Sequence, residues 1–336
     1  MRVLVIKLGA VGDVIRTTSI LPGLKSKFMN CKIDWITKKG SFDVLKGNDL
    51  ISKTFIINNN AKNQLKNKRY DLVICLDDDQ EACELASKIS SKEIIGSYLK
   101  KNQKTYTNNS SLWFDMGLIS KFGKQKADIL KAKNRKTYQS IIYGIIDLNY
   151  KKQEPILSLN KKELDFGKRF AKKHGIKNSD LVIGINTGAG GRWQDKKLSE
   201  EKTAKLIDSL NKQIKNIKII LFGGPEEAER NKEIKKIAKT NVIDAGCGNS
   251  LMEFASLVNL CKVLVTSDSL ALHIGVALKK KIVVFFYVTS ANEIELYGRG
   301  IKIIGKGKDC CSYKPRCYYT PKWDIGEIVD AVKKLI

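Results

Sequence analysis

The sequence predicts an α/β protein made of two doubly wound halves, each a parallel sheet covered by helices on both faces. Three observations carry that reading. Short β-branched runs alternate with amphipathic stretches along most of the chain, the pattern of βαβ units. The alternation pauses and then restarts after "NYKKQEPILSL" (149–159), which holds one of only five prolines and reads as a linker. A length of 336 residues is enough for two domains, each with its own core.

In the first half, 1–152, strands are expected at 2–8 ("RVLVIKL"), 32–37, 53–57, 72–76 and 93–96, with helices between the first several. Residues 97–150 carry few strand signals and read as helix and polar loop. The second half, 153–323, begins with a helix at 161–174 and a strand at 181–186. Helix 199–213, strand 217–222, helix 225–239 and the short strand "NVIDA" come next. Helix 250–258, strand 262–267, helix 269–278 and strand 281–287 complete the series, and 324–336 reads as a terminal helix capped by Asp324. Doubly wound sheets bind ligands at the carboxyl ends of their strands, so two such halves are expected to face a ligand cleft.

Lys and Arg number 61 against 35 Asp and Glu, a formal net charge of +26. Such an excess favours anionic partners, a phosphorylated substrate or an acidic membrane surface among them. The lysines are scattered, without the Arg-rich and aromatic interleaving of a nucleic-acid surface, so nucleic acid is a disfavoured partner. A lysine-rich composition that simply solvates the surface gives the same count. No apolar stretch approaches a transmembrane span. The apolar start is interrupted by Lys7 and leads directly into a loop, so it does not read as a secretory signal, and a cytoplasmic location is expected. Of eight cysteines, five stand singly in apolar segments, and only Cys310, Cys311 and Cys317 cluster, in "CCSYKPRC". Without a second CxxC that cluster reads first as a structural or ligand-lining loop, ahead of zinc or a disulfide.

Three loops at successive strand ends of the second half suit a nucleotide. "TSDSLALHIGVAL" (266–278) starts a helix with the N-cap types Asp268 and Ser269, so the amides of Ser269, Leu270 and Ala271 can receive a diphosphate, with His273 about one turn on. "INTGAGGRWQDKK" (185–197) offers Thr187, Gly188 and Gly190 for close backbone approach and Arg192, Lys196 and Lys197 for phosphate charge. "LFGGPEEAER" (221–230) offers Glu226 or Glu227 to ribose hydroxyls. Each loop taken singly is also ordinary helix-start chemistry. Asp77 and Asp79 in "ICLDDDQEACELASK" form a DxD that suits a hard cation, although acids at a strand end opening a helix give the same pattern. Neither a Walker A loop nor GxGxxG is present, which disfavours a P-loop kinase or an NAD-dependent dehydrogenase.

The opening "IKLGAVGDVIRTT" (6–18) places two glycines between a strand and a helix, as a phosphate loop would, yet ends on the carboxylate of Asp13. Together with "YDLVICLDDD", "NTGAGGRWQDKK", "LFGGPEEAER" and "TSDSLALHIGVALKKKIVVFFYVTSANEIELYGRG", it resembles glycosyltransferase family 9, the ADP-heptose:lipopolysaccharide heptosyltransferases and their relatives. The resemblance implies a GT-B fold with an acceptor-binding first domain and a nucleotide-sugar-binding second one. It implies inverting transfer with no metal and no cofactor. Asp13 then matches the general base, Lys196 the diphosphate lysine (Lys197 or Arg192 being alternatives), Glu227 the ribose acid, and Asp268 to His273 the diphosphate turn. The expected partners are a nucleotide-diphosphate sugar donor, an anionic glycolipid or glycan acceptor and the inner membrane surface. Gly12, Trp113, Asp115 and Tyr138 are candidate acceptor contacts. Two other functions stay open at this point: a noncatalytic basic binding protein, and a metal-dependent transferase using Asp77 and Asp79.

Overall fold

A computed structural model of the chain describes residues 1–190, 194–307, 313 and 323–336. Arg192 and the cysteine cluster at 310, 311 and 317 lie outside the described residues. The chain divides into two compact units, Met1–Ser158 with Asn292–Glu295, and Leu159–Ala291 with Leu296–Ile336.

The first unit contains β1 (Arg2–Ile6), β2 (Lys32–Thr37), β3 (Lys53–Ile56), β4 (Arg69–Cys75), β5 (Ser90–Lys100) and β6 (Gln103–Tyr106), ordered β3-β2-β1-β4-β5-β6. The first five pair in parallel, and β6 runs antiparallel to β5. β1 is central and buried on both faces, which is why it reads as one unbroken apolar run, with Val3, Leu4, Val5 and Ile6 fully buried. The β5–β6 hairpin corrects the expectation of few strands after 96. Its turn, Lys101 and Asn102, takes positive φ of 49° and 61°, the left-handed geometry that closes a two-residue hairpin. Lys-Asn is a weak sequence signal for such a turn, and β6 is short and half exposed, so nothing in the apolar pattern marks it. Gly96, at a φ of +103°, lies so close to the Cys75 carbonyl that a side chain there would sit 1.9 Å from its oxygen.

The second unit contains β7 (Leu181–Asn186), β8 (Ile217–Phe222), β9 (Ile243–Asp244), β10 (Val263–Ser267), β11 (Lys281–Phe286) and β12 (Gly300–Ile304), in the order β12-β11-β10-β7-β8-β9. All of its pairings are parallel. Counted from β9, the strands run third, second, first, fourth, fifth, sixth, the Rossmann order. β12 is an edge strand that sequence reading missed, because two of its five residues are exposed and a third neighbour, Gly300, is there to clear the β11 backbone. The terminal helix Ile325–Leu335 begins where expected: Asp324 Oδ1 accepts the Gly326 amide at 2.8 Å. It lays Ile328, Val329 and Val332 into the second core.

Candidate active site

Each sheet reverses its winding once, between β1 and β4 in the first unit and between β7 and β10 in the second. In doubly wound sheets the carboxyl ends at such a reversal are where ligands bind.

At the first reversal, Lys7 leaves β1 and is buried, its Nζ donating to Asp77 Oδ1 at 2.9 Å and to the Leu76 carbonyl at 3.0 Å. Burial by itself pulls the Lys7 ammonium down, but the carboxylates of Asp13 and Asp77 outweigh it and hold it above its ordinary value. Asp77 is raised, because burial outweighs the help of Lys7 and of the Leu8 amide that donates to it. Asp77 and Asp79 have different partners. Asp79 caps the helix Gln80–Lys88 by accepting the Ala82 amide at 2.8 Å, and pairs with Lys38 at 3.1 Å. Among the described residues no three His, Cys, Asp or Glu side chains gather as metal ligands.

Asp13 is the third residue of the helix Val11–Thr17, whose N-cap, Ala10, offers no side-chain acceptor. The carboxylate is about one-third exposed and takes the guanidinium of Arg16 at 2.8 Å. Arg16 in turn stacks on the Tyr138 ring at 3.8 Å, with the Trp113 ring at 5.7 Å. Trp113 meets Tyr138 edge-on at 5.0 Å, and the Tyr138 hydroxyl pairs with that of Thr17 at 2.6 Å. The acceptor contacts expected from the sequence lie in differing surroundings. Tyr138 is only 2% exposed and forms the floor under Arg16, its phenol pushed up by burial. Gly12 is buried in the first helical turn, and Gly9 just before the helix has open space at its Cβ position. Asp115 accepts from the Tyr106 hydroxyl, and burial with that carboxylate drives the Tyr106 phenol up to about 12.

At the second reversal, Asn186 ends β7 with its side-chain amide 2.8 Å from the Gly188 carbonyl, 3.2 Å from Thr266 Oγ1 and 3.3 Å from Ser269 Oγ. One buried amide thus ties the glycine loop to the start of the next helix, Leu270–Ala277. Ser269 is the N-cap of that helix but its side chain makes no capping bond, so it leaves the first-turn amides of Leu270 and Ala271 uncapped by its hydroxyl. Asp268, expected as a cap, instead takes Lys196 Nζ at 2.9 Å and the Thr289 hydroxyl at 2.7 Å. Burial by itself would raise Asp268, yet Lys196 and His273 hold it down, to about 2. Lys196 is itself buried and also donates to the Asp268 carbonyl at 3.0 Å. The next residue, Lys197, goes elsewhere: it pairs at 3.0 Å with Glu227, which is buried and accepts the Gly224 amide at 3.1 Å. Gly188 lies against that carboxylate, and a methyl group there would stand 2.8 Å from Glu227 Oε2.

Lys196, Asp268, Ser269, Leu270, Ala271 and His273 thus fall around one helix start, while Gly188, Lys197 and Glu227 form a cluster beside it. Thr187 belongs to neither. Its amide and hydroxyl meet the Phe222 carbonyl at 3.1 and 2.9 Å, and the hydroxyl is 2.7 Å from Asn231 Oδ1, so it fastens β7 to β8. Sequence reasoning missed Asn186, Thr289 and Arg16. Only Arg16 left a signal, as a cation one helical turn after Asp13.

Two parallel-sheet units of this kind are the architecture of the GT-B glycosyltransferases, and solved structures of similar fold bear that out. The glycosyl transferase family 9 protein of Veillonella parvula aligns over 99% of this chain and 96% of its own, at 18% identity and a TM-score of 0.80. The ADP-heptose LPS heptosyltransferase II of E. coli aligns over 100% and 98%, at 16% identity and a TM-score of 0.67. The E. coli heptosyltransferase WaaC, solved with ADP, aligns over 99% and 96%, at 17% identity and a TM-score of 0.62. No curated protein matches the chain in sequence. The pattern of glycosyltransferase family 9 (heptosyltransferase) matches residues 59–318, and the chain belongs to that family. It is a glycosyltransferase. Asp13 lies ahead of the matched residues.

Proposed function

We propose that the protein moves a sugar, heptose or a relative, from an ADP-linked donor to a cell-envelope glycolipid or glycan, inverting the anomeric centre without a metal. The observation that carries this reading is the Lys196–Asp268 pair, its lysine buried, beside a helix start whose N-cap side chain makes no capping bond, at the reversal of the second sheet. A helix start attracts anions through its free amides, and Lys196 adds a full charge. Both serve a diphosphate leaving group in the place a divalent cation would otherwise take. Glu227 keeps lone pairs for ribose hydroxyls beyond those used by Lys197 and Gly224. The fold relative WaaC has been solved with ADP and with ADP-2-deoxy-2-fluoro heptose, which supports the same nucleotide here. No helix among the described residues is long and apolar enough to cross a bilayer, which fits catalysis at the cytoplasmic face.

In the reaction, an acceptor hydroxyl oxygen attacks the anomeric carbon and the bond from that carbon to the diphosphate oxygen breaks. The nucleoside diphosphate leaves with the electron pair, and the acceptor's proton passes to Asp13. Arg16 acts through Asp13 by fixing its rotamer from the Tyr138 platform. Arg16→Ala is therefore expected to lower kcat about tenfold, with nucleotide-sugar affinity unchanged and with Arg16→Lys recovering only part of the loss, since lysine lacks the planar stack and fork. Equal losses in kcat and in donor affinity would remove Arg16 from this role.

The reading is tested by thermal shift with ADP-, GDP-, UDP- and dTDP-sugars, followed by turnover in excess chelator. ADP-sugars are expected to raise Tm most, and turnover to survive chelation. Silence toward every nucleotide would defeat the transferase reading in this form, and loss of turnover on chelation would defeat its metal independence.

A further inference from the structure

We propose that the outward face of the helix Gly123–Lys133 docks the first unit onto an anionic phospholipid bilayer. Exposed large apolar side chains are few in this protein, and three of them fall close together in sequence: Leu118 at 80% exposure, Phe122 at 59% and Ile129 at 45%. Ala127 is the buried residue of the helix and fixes which side faces inward. At 100° per residue, Phe122, Lys126, Ile129 and Lys133 recur at i, i+4, i+7 and i+11 on the opposite side. Along the helix axis that face alternates apolar and cationic groups, with Gln125 and Ala132, both exposed, flanking it. Residues 118–136 hold seven Lys or Arg and a single acid, Asp128, which is spent on Lys124 within the same helix.

Solvated lysine faces are common, but they do not carry a phenylalanine and an isoleucine at the same pitch. A surface that reads nucleic acid needs the cations and not the aliphatic group. A lipid headgroup layer takes both, since the apolar side chains enter the acyl boundary while the lysines meet phosphate. The segment that leads into the helix is anchored. The Tyr106 hydroxyl donates to Asp115 and accepts the Lys121 amide at 3.1 Å, which pins the chain on both sides of Leu118 to the edge strand β6. The inference deepens the transferase reading, resting on its membrane-held acceptor for purpose, while the binding itself needs no acceptor.

The test is co-flotation of the full chain with vesicles of phosphatidylcholine alone, or of phosphatidylcholine mixed with phosphatidylglycerol, neither containing glycolipid. Binding is expected only to the anionic vesicles and to weaken with salt. Lys126→Gln with Lys133→Gln should lose about 25-fold in vesicle affinity, about fivefold per lysine. Phe122→Ser with Ile129→Ser, which leaves the charge unchanged, should lose at least about tenfold. All four positions are exposed, so an unchanged Tm is expected to confirm that the variants fold. No binding, equal binding to neutral vesicles, or indifference to the Phe122 and Ile129 change would overturn the proposal. Tight binding to duplex DNA that tracks only the lysines would assign the face to nucleic acid instead. Transfer to a water-soluble acceptor, measured in parallel, separates the two readings. Vesicle binding without transfer would count against the transferase reading, and transfer without vesicle binding against the docking face.

Discussion

Asp13→Asn is expected to lose two to four orders of magnitude in kcat, about 10²–10⁴-fold, while binding nucleotide sugar as the parent does. The substitution keeps an oxygen for the Arg16 guanidinium and leaves the helix unbroken, so the loss reports proton transfer and not geometry. Asp13 sits in the first turn of a helix, 2.8 Å from Arg16. Its placement is what this step needs, because an acceptor hydroxyl becomes acidic only as its oxygen bonds to the anomeric carbon. The proton then moves late, and placement counts for more than basicity. Calorimetric donor affinity beside steady-state kcat makes the measurement. Parent-like turnover in Asp13→Asn would remove Asp13 as the base.

Lys196→Met is expected to damage both the fold and the site. It takes the lysine from the part-buried Asp268 carboxylate, at a cost below that of a fully buried pair, about 3–5 kcal/mol, because Thr289 still donates to it, and it removes the cation proposed to meet the diphosphate. Adding Asp268→Asn should restore most of the stability but none of the donor affinity, which separates the two effects. The pair also sets a pH dependence. Asp268 is held at about 2 in the folded protein against an ordinary 3.8. Its ionised form therefore contributes stability above about pH 4, on the order of 2 kcal/mol, and that contribution is lost as pH falls through 4 toward 2. Denaturation midpoints followed over that range should slope downward in the parent and less so in Asp268→Asn. Parallel slopes would show that the pair is not what holds Asp268 down.

Much of the fold is written locally and so could be read from the chain. β1 is an unbroken apolar run because helices cover both its faces, and Asp79, Ser250 and Asp324 cap helices at the places their types suggest. The edges were not legible. β6 and β12 are short and half wet, and a strand paired on one side alone carries little apolar pattern. The site divides in the same way. Asp13, Lys196 and Asp268 announce themselves as charges at strand ends, but what each one touches depends on pairings that span the sheet. Lys7 meets Asp77 from 70 residues away, Asp268 meets Lys196 from 72, and Asn186 reaches Ser269 across 83. The surroundings of Tyr138 were equally illegible. Only the packed fold shows it lying beneath Arg16, a position that depends on the helix Tyr138–Ile145 meeting the first helix of the chain.

Lys7, Arg16, Asp13 and Asp77 together hold two cations and two carboxylates. The quartet is formally neutral while Asp13 is ionised. In the proposed reaction the acceptor's proton is delivered to a carboxylate that already faces Arg16 at 2.8 Å, in a neighbourhood where Lys7, Asp77 and Arg16 are largely shielded from water. The exposed third of Asp13 is then the side from which solvent can carry that proton away.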